Sequence, residues 1–229
     1  MKCIILASGF GTRLYPLTIN RAKALLEYEG TPLVTHIVNR IPNDMEVFVT
    51  TNRKFEASFR KWSKTLDRAV IFCVEPVFTE EQSIGAVGSL NYCVTTNNIT
   101  DDLLVIAGDN HFESSLSEFI SSYDGQTTLV GVYDTGDKKK SSQFGVVGLD
   151  GLRITKFDEK PTEPESSLIA TACYIFPPRI FSLLSQFCCG GKKDNLGNFI
   201  GYLIAQDVVH AYPFTELWFD AGNGDYLLV

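Results

Sequence analysis

The chain begins with a short apolar run that ends abruptly in a glycine-rich turn. Cys3 to Ala7 are all apolar, and Ser-Gly-Phe-Gly-Thr-Arg follows at once as residues 8–13. This pattern predicts a buried strand followed by a turn whose glycines allow a ligand to approach the backbone closely. Successive backbone N–H groups in such a turn form a concave anion site. Because Arg13 and Lys23 lie close by in the sequence, the segment is predicted to bind polyphosphate.

Two well-known glycine loops do not match this segment. A dinucleotide fingerprint requires a third glycine where this chain has Leu14, and an acidic residue where it has Thr50-Thr51-Asn52. A P-loop requires Gly-Lys-Ser/Thr, which is absent from the sequence. A purely structural turn carrying a surface arginine remains an alternative interpretation.

Composition and charge limit the class of protein. With 229 residues, 45% of them hydrophobic and 21% charged, the chain is long enough for one large α/β domain. The formal net charge of −7 argues against nucleic-acid binding. No apolar run approaches the roughly 20 residues that a membrane span requires, and the chain begins in a strand rather than in a signal peptide. We therefore expect neither nucleic acid nor a membrane as a partner.

The six cysteines indicate a reducing compartment. Four lie in apolar segments, and the spacing of the six matches no zinc pattern. We interpret them as structural thiols of a cytoplasmic protein. The Cys188-Cys189-Gly190-Gly191 segment is predicted to be an exposed loop.

Strands and helices alternate in the first half of the sequence. This order predicts a mostly parallel sheet with helices on both faces. Helices are predicted around Phe55–Leu66, Gly85–Val94 and Leu116–Tyr123. The predicted strands are Lys2–Ala7, Glu46–Thr50, Ala69–Glu75, Asp102–Ile106 and Thr127–Val132.

The second half is richer in strands. A hairpin is predicted around Asp150-Gly151, and the three lysines at 138–140 are predicted to form a solvated loop. The strands are Gly145–Leu149, Arg153–Asp158, Ile169–Phe176, Val208–Tyr212 and Glu216–Phe219, with a helix at Leu196–Ala205. We predict one domain over 1–229, with a nucleotide-binding half at about 1–135 and a β-rich half at about 136–229.

Three acidic motifs lie at predicted strand ends. Asp109 follows a strand at the sheet edge where open α/β sheets bind ligands, and it is a plausible Mg²⁺ ligand, although a loop-capping role is an equally simple interpretation. Asp220 follows two aromatic residues in Trp-Phe-Asp-Ala-Gly. Glu159-Lys160-Pro161 suggests a lysine for a phosphate and a carboxylate for hydroxyl groups, with a surface ion pair as the alternative.

Taken together and in order, these motifs resemble those of the sugar-1-phosphate nucleotidylyltransferases, such as the glucose-1-phosphate thymidylyl- and uridylyltransferases. The family's first signature, Leu-Ala-x-Gly-x-Gly-Thr-Arg-Leu-x-Pro-Leu-Thr, corresponds to residues 6–18, with Lys23 as its following lysine. Later motifs correspond to residues 83–90, 108–109, 144–147, 159–161 and 218–222. The resemblance covers nearly the whole chain.

The resemblance implies a Rossmann-like nucleotidyltransferase sheet flanked by helices, with an added β-rich lobe that binds the sugar. It implies catalytic roles for Arg13, Lys23 and Lys160, and Mg²⁺ ligation by Asp109 and Asp220. The implied nucleotide-binding residues are Leu6, Ala7, Gly9, Gly11, Thr12, Gln82, Gly85 and Ala86. Those implied for the sugar phosphate are Gly145, Glu159, Lys160 and Thr171.

Four positions depart from the family pattern. Ser8 replaces a common glycine, Ala22 replaces the proline before the lysine, and Asn223 replaces a threonine. Thr171 stands where many hexose enzymes carry an asparagine, which leaves the identity of the sugar open.

The implied reaction is Mg²⁺-dependent transfer of a nucleotidyl group from a nucleoside triphosphate to a sugar 1-phosphate, with release of pyrophosphate. Two alternatives stay open: a cytidylyltransferase for phosphocholine on the same fold, and a non-catalytic subunit that binds a nucleotide sugar. A nicotinamide-dependent oxidoreductase is a more distant alternative. The base, the sugar and the formation of a homo-oligomer are not determined by the sequence.

Overall fold

The computed structural model describes residues 1–191 and 194–223. Its strands are β1 (Lys2–Leu6), β2 (Glu27–Tyr28), β3 (Thr31–Pro32), β4 (Val47–Asn52), β5 (Ile71–Glu75), β6 (Leu103–Ala107), β7 (Asn110–Phe112), β8 (Thr128–Asp134), β9 (Gly145–Asp150), β10 (Arg153–Glu159), β11 (Leu168–Phe176), β12 (Val209–Phe214) and β13 (Trp218–Asp220). Its helices are α1 (Leu33–Arg40), α2 (Glu56–Ser63), α3 (Gly85–Thr96), α4 (Leu116–Ser121), α5 (Lys138–Ser141), α6 (Ile180–Cys189) and α7 (Leu196–Leu203).

Nine strands form one sheet in the order β5-β4-β1-β6-β11-β8-β12-β10-β9. Strands β5, β4, β1 and β6 run parallel to one another, as the alternation of the first half predicts. Strand β11 enters antiparallel between β6 and β8, and β8 pairs in parallel with β12. The predicted α/β class is confirmed, and the strands of the second half extend the same sheet with mixed pairing.

The central strand β1 is buried on both faces. Cys3 and Ile5 pack into one hydrophobic cluster, and Ile4 between them packs into the other, because successive side chains of a strand point to opposite faces. Helices α1 and α2 cover the first cluster, and α3, α6 and α7 cover the second. The continuous apolar run at the start of the sequence is therefore the mark of a strand enclosed between two helical layers.

The register between β1 and β6 brings two loops to one edge. Leu6 lies opposite Ala107, so that both strands end at the same level. The glycine turn after β1 and the Gly108-Asp109 segment after β6 consequently meet at the carboxyl edge of the sheet. The N–H of Gly108 donates to the carbonyl of Leu6 at 2.8 Å and ties the two segments together.

Most predicted elements are present, with ends that shift by one to three residues. The hairpin around Asp150-Gly151 is confirmed, and Gly151 has the positive φ of 58° that its turn needs. The helices α1 and α6 were not predicted. The prediction that Cys188 and Cys189 lie in an exposed loop is wrong: both end α6, where Cys188 is buried and Cys189 is exposed, because Ile180, Leu184 and Cys188 form an apolar stripe with a four-residue spacing.

Two further predictions concern the surface. The three lysines at 138–140 are exposed as predicted, but they form the single turn of α5 rather than a loop. Within the described part of the chain, none of the helices combines the length and the apolar character that crossing a bilayer demands.

Candidate active site

Buried hydrogen bonds fix the start of the glycine turn. The N–H of Ala7 donates to Oγ1 of Thr50 at 3.0 Å, and Nδ2 of Asn52 donates to the carbonyl of Ser8 at 2.7 Å. Both partners come from the neighbouring strand β4. The chain therefore leaves β1 in one defined direction, with its polar backbone groups satisfied on the side of the core.

The two glycines of the turn serve different purposes. Gly11 has φ 65° and ψ 30°, the left-handed conformation that glycine adopts without steric cost. A Cβ at Gly11 would also lie 3.1 Å from Cγ2 of Thr18, whose hydroxyl donates to the carbonyl of Gly11 at 2.6 Å. At Gly9 a Cβ would meet no atom of the described residues within 4 Å. Gly11 therefore shapes the turn, and Gly9 leaves open space in front of it.

This open space is part of a cavity of about 480 Å³ at the carboxyl edge of the sheet. That volume lies in the range of small-molecule and cofactor sites. The cavity is lined by twelve of the predicted site residues: Leu6, Ala7, Gly9, Gly11, Thr12, Arg13, Lys23, Gly85, Ala86, Asp109, Lys160 and Asp220. The structure thus brings segments from the start, middle and end of the chain around one space.

Two carboxylates converge on one lysine in this cavity. Asp109 follows β6, and Asp220 ends β13, which pairs with β7 so that Asp220 lies opposite Asn110. Nζ of Lys23 donates to Oδ2 of Asp109, and it lies 3.3 Å from Oδ1 of Asp220. The N–H of Ala221 donates to the carbonyl of Asp109 at 3.0 Å and holds the two acidic segments together.

Burial and charge act in opposite directions on these groups. Burial raises the pKa of Asp220 to about 6, and the neighbouring Asp109 carboxylate adds to this effect although Lys23 opposes it. Burial also disfavours ionisation of Asp109, but the charge and hydrogen bond of Lys23 outweigh it and lower the pKa of Asp109. For Lys23, the two carboxylates outweigh burial and raise the pKa. Both carboxylates can be ionised at the same time only with a cation beside them.

The donor set fits Mg²⁺ when phosphate is also present. Mg²⁺ takes one or two protein carboxylates and completes its octahedron with phosphate oxygens and water. Residues 1–191 and 194–223 contain no cluster of three or more metal-ligating side chains. Asp109 and Asp220 therefore fit as the two protein ligands of a metal that a bound polyphosphate would help to hold.

The cavity contains two further cations that form no ion pair within the described part of the chain. Arg13 and Lys160 line the cavity and are exposed, and neither forms an ion pair with any described residue. Lys160 has a φ of 48°, an uncommon value for a residue with a side chain, and its N–H donates to the carbonyl of Phe144 at 3.0 Å. Strained backbone of this kind concentrates at functional sites. Both side chains are free to bind an anion.

Glu159 and Gly145 lie beside the cavity rather than on its wall. They are directly opposite each other in the β9–β10 pair. Burial raises the pKa of Glu159, although the charge of Lys160 opposes this. The predicted contacts of these two residues with a sugar stay a prediction.

Thr171 and Gln82 are not among the residues that line the cavity, although Glu80 and Ser83, on either side of Gln82, are. Thr171 is fully buried, and its hydroxyl donates to the carbonyl of Gly131 at 3.0 Å. Oε1 of Gln82 accepts from the N–H of Phe78 at 2.8 Å and caps its own turn. Both side chains form structural hydrogen bonds, Thr171 inside the sheet and Gln82 within its loop, and their predicted binding roles stay predictions.

Other residues of the cavity wall were not predicted. Oγ of Ser8 and Oγ of Ser89 share a hydrogen bond of 2.9 Å on the cavity floor. Glu80 accepts from the hydroxyl of Thr12 at 2.7 Å, and the carbonyl of Asp194 accepts from the N–H of Ala86 at 3.0 Å. The family-like segment at 83–90 offered a signal for Ser89, and the position of Glu80-Glu81-Gln82 just before that segment suggested a place near the base pocket, whereas no sequence pattern pointed to Asp194. The side chain of Asn223, the last departure from the family pattern, lies outside the described residues.

Comparisons with known proteins agree with this geometry. The profile of the nucleotidyl transferase family matches residues 2–228. A protein of Sulfolobus acidocaldarius, provisionally named a mannose-1-phosphate guanyltransferase, is 28% identical over 240 residues, which is 100% of this chain and 62% of that protein. The bifunctional protein GlmU of Methanocaldococcus jannaschii is 30% identical over 228 residues, covering 97% of this chain and 52% of GlmU. The chain thus spans between half and two thirds of the length of these relatives.

A solved structure shares the fold. The UDP-glucose pyrophosphorylase complexed with UDP-glucose superposes with a TM-score of 0.83 over 99% of this chain and 95% of that one. The two sequences are 19% identical, so this similarity shows a shared fold and nothing further.

Proposed function

Because the chain belongs to the nucleotidyl transferase family, we propose that it transfers a nucleotidyl group from a nucleoside triphosphate to a sugar 1-phosphate and releases pyrophosphate. The observation that carries this proposal is the distribution of charge in one cavity. Arg13 and the glycine turn, Lys160, and Lys23 with its two carboxylates all line this cavity. Two phosphorylated substrates and a divalent cation match this arrangement.

The nature of the nucleophile explains which groups the cavity lacks. An oxygen of the sugar phosphate forms the new bond to the α-phosphorus, and the bond from that phosphorus to the bridging oxygen of the β-phosphate breaks. The electron pair of this bond leaves with pyrophosphate. Since a phosphate monoester is already ionised at neutral pH, no strong general base is required, and the described residues of the cavity wall include neither histidine nor cysteine.

The side chains act by alignment and by charge stabilisation. The N–H groups of the glycine turn and the guanidinium of Arg13 would hold the triphosphate, and Lys160 would hold the phosphate of the acceptor. Asp109 and Asp220 would hold Mg²⁺, which when bound neutralises negative charge on phosphate oxygens. When Mg²⁺ is absent, Lys23 keeps the two carboxylates ionised and oriented.

The acceptor and the base need separate treatment. An ammonium beside the acceptor phosphate, as Lys160 provides, would repel the quaternary ammonium of choline, and this supports a sugar over phosphocholine. The similar proteins do not agree on one base, since the Sulfolobus relative is named for guanyl transfer and the similar solved structure is a complex with UDP-glucose. We therefore propose the reaction class without assigning the base or the sugar.

The test is release of pyrophosphate with Mg²⁺ over a grid of nucleoside triphosphates and sugar 1-phosphates, with phosphocholine as an additional acceptor. We expect at least one sugar 1-phosphate to support turnover. Release with phosphocholine alone would overturn the choice of acceptor. A folded protein that binds a nucleotide sugar without turnover in any combination would show the regulatory alternative instead.

The role of Arg13 is tested by a matched pair of variants. Arg13→Ala removes the unpaired guanidinium of the cavity, and we expect turnover to fall by a factor on the order of one hundred or more, as for loss of a single stabiliser of transition-state charge. Arg21→Ala removes a nearby arginine that is paired with Glu27 outside the cavity, and its turnover should stay within about twofold of the parent. Equal turnover in the two variants would contradict the assignment.

A further inference from the structure

The first turn of α7 packs directly against the carboxylate of Glu159. A Cβ placed on Gly197, the second residue of α7, would overlap Oε2 of Glu159 and would lie 3.1 Å from its Cδ and 2.8 Å from Cε1 of Phe157. Real Cβ atoms almost never approach other atoms so closely. Glu159 can therefore occupy its observed position only because residue 197 has no side chain.

A second glycine closes the same space from the other side. A Cβ on Gly145 in β9 would overlap Cζ of Phe157 and would lie 3.3 Å from Oε2 of Glu159. Phe157 and Glu159 are two residues apart in β10 and point to the same face. Their side chains thus fill a narrow slot between β9 and α7 whose two walls are glycines.

Packing, rather than hydrogen bonding, determines where this carboxylate lies. Across the described ranges, the side chain of Glu159 forms neither a hydrogen bond nor an ion pair, although the charge of Lys160 acts on it. The first turn of α7 offers N–H groups without intrahelical acceptors and a partial positive charge, which favours a carboxylate there. The position of the Glu159 carboxylate is consequently set by the space that Gly145 and Gly197 leave between β9 and α7.

The start of α7 also belongs to the cavity wall. Leu196, the first residue of α7, lines the cavity, as does Lys160, the residue that follows Glu159. A displacement of Glu159 would therefore reach the cavity first through its neighbour Lys160.

We propose that Gly197 is a positioning residue for the acceptor: its missing side chain lets α7 hold the Glu159 carboxylate beside Lys160, where it accepts hydrogen bonds from acceptor hydroxyl groups. This inference rests on the proposed function. It adds that Gly197, for which the sequence offered no motif, determines the affinity for the sugar phosphate through Glu159.

The test compares two glycines of the same helix. Gly197→Ala should raise KM for the sugar 1-phosphate about tenfold or more, the effect of misplacing one charged hydrogen-bond acceptor, while KM for the nucleoside triphosphate stays within twofold. Gly201→Ala is the control, because a Cβ there has its nearest neighbour, the carbonyl oxygen of Phe157, at 3.9 Å. Both KM values of this control should stay within twofold of the parent.

A double-variant measurement separates positioning from general damage to the fold. In a Glu159→Ala background the carboxylate is gone, so Gly197→Ala should cause no further rise in KM for the acceptor, and its effect on the melting temperature should be smaller than in the parent. If the single variant Gly197→Ala does not fold, the inference requires that the double variant Gly197→Ala/Glu159→Ala does fold. If the double variant also fails to fold, the contact with Phe157 rather than Glu159 is what residue 197 must avoid, and the inference is overturned.

The outcomes also distinguish this inference from the proposed function. A parent enzyme that releases no pyrophosphate with any acceptor refutes the proposed function, and the melting temperatures of the four variants still report whether Gly197 and Glu159 are coupled. An active parent whose Gly197→Ala variant keeps its KM for the sugar 1-phosphate within twofold refutes the inference alone.

Discussion

Replacing Lys23 with methionine tests whether the site is organised around two carboxylates that share a cation. The variant keeps the length of the side chain and removes the charge between Asp109 and Asp220. A hydrogen bond between charged groups contributes about 1.5–3 kcal/mol, and Lys23 makes two such contacts. The three side chains are 18%, 26% and 32% exposed, so water screens part of this energy.

We therefore expect the metal-free variant to lose about 2 kcal/mol of stability. For a domain of this size, 1 kcal/mol corresponds to about 2–4 °C in the melting temperature, so the expected decrease is roughly 4–8 °C. The physical cause is the repulsion between two carboxylates that are left without a counter-charge. Differential scanning calorimetry in the presence of a chelator measures this decrease directly.

Adding Mg²⁺ at a saturating concentration should reverse the loss. A ligand present at one hundred times its Kd stabilises the folded state by about 2.7 kcal/mol. In the parent, Lys23 already neutralises the carboxylates and competes with the metal, whereas in Lys23→Met the metal meets no competitor. The increase in melting temperature on adding Mg²⁺ should consequently be larger for the variant than for the parent.

Lys2→Met is the matched control, because Lys2 also bridges two carboxylates, at 3.0 Å from Glu46 and 3.6 Å from Asp101. These pairs lie on the surface and remote from the cavity, so the change should stay within about 1 kcal/mol and the response to Mg²⁺ should match that of the parent. The reasoning is refuted if Lys23→Met has the melting temperature of the parent in the presence of chelator. It is also refuted if Mg²⁺ raises the melting temperatures of Lys23→Met and of the parent equally.

Three other substitutions test the backbone and the buried charge. Glu75 is 1% exposed, its Oε1 has no hydrogen-bond partner among the described residues, and burial raises its pKa. The folded state therefore loses stability as the pH rises above the ordinary pKa of a glutamate. In urea unfolding, Glu75→Gln should be more stable than the parent by about 1 kcal/mol at pH 7 and equal to it near pH 4. A less stable variant at pH 7 would contradict this. Ala172 has a φ of 54°, and Ala172→Gly should raise the free energy of unfolding by about 0.5–1 kcal/mol, whereas any loss would show that the alanine methyl group contributes more than the strain costs. Gly11→Ala should lose about 1–2 kcal/mol because of its φ of 65°, while Gly9→Ala should keep its stability and weaken nucleotide binding in calorimetric titration; equal stability of the two variants would refute the different roles of these glycines.

The sequence determined the features that depend on neighbouring residues. The run Cys3–Ala7 encodes a buried strand because every residue is apolar, and Gly11 encodes a left-handed turn because other residues adopt that conformation only with strain. Asp109 was assigned to the ligand edge for a similar reason, since parallel strands in this kind of sheet end on one side. These inferences need only the local pattern and the general geometry of α/β proteins.

The tertiary structure decided which side chains face the cavity. Thr171 was a plausible sugar ligand by its place in the motif, yet the pairing of β11 with β8 is irregular between Ala170 and Tyr174, and its hydroxyl points to Gly131. Periodicity gives the face of a regular strand, and an irregularity changes that face without a clear signal in the sequence.

Contacts between distant segments were also beyond the sequence. Lys23 and Asp220 are 197 residues apart and meet only because β13 pairs with β7 beside the end of β6. Gly197 meets Glu159 only because α7 packs on β10. The amino-acid pattern specifies how each element buries its apolar face, but the order of strands in the sheet, with β11 inserted between β6 and β8, decides which polar ends become neighbours.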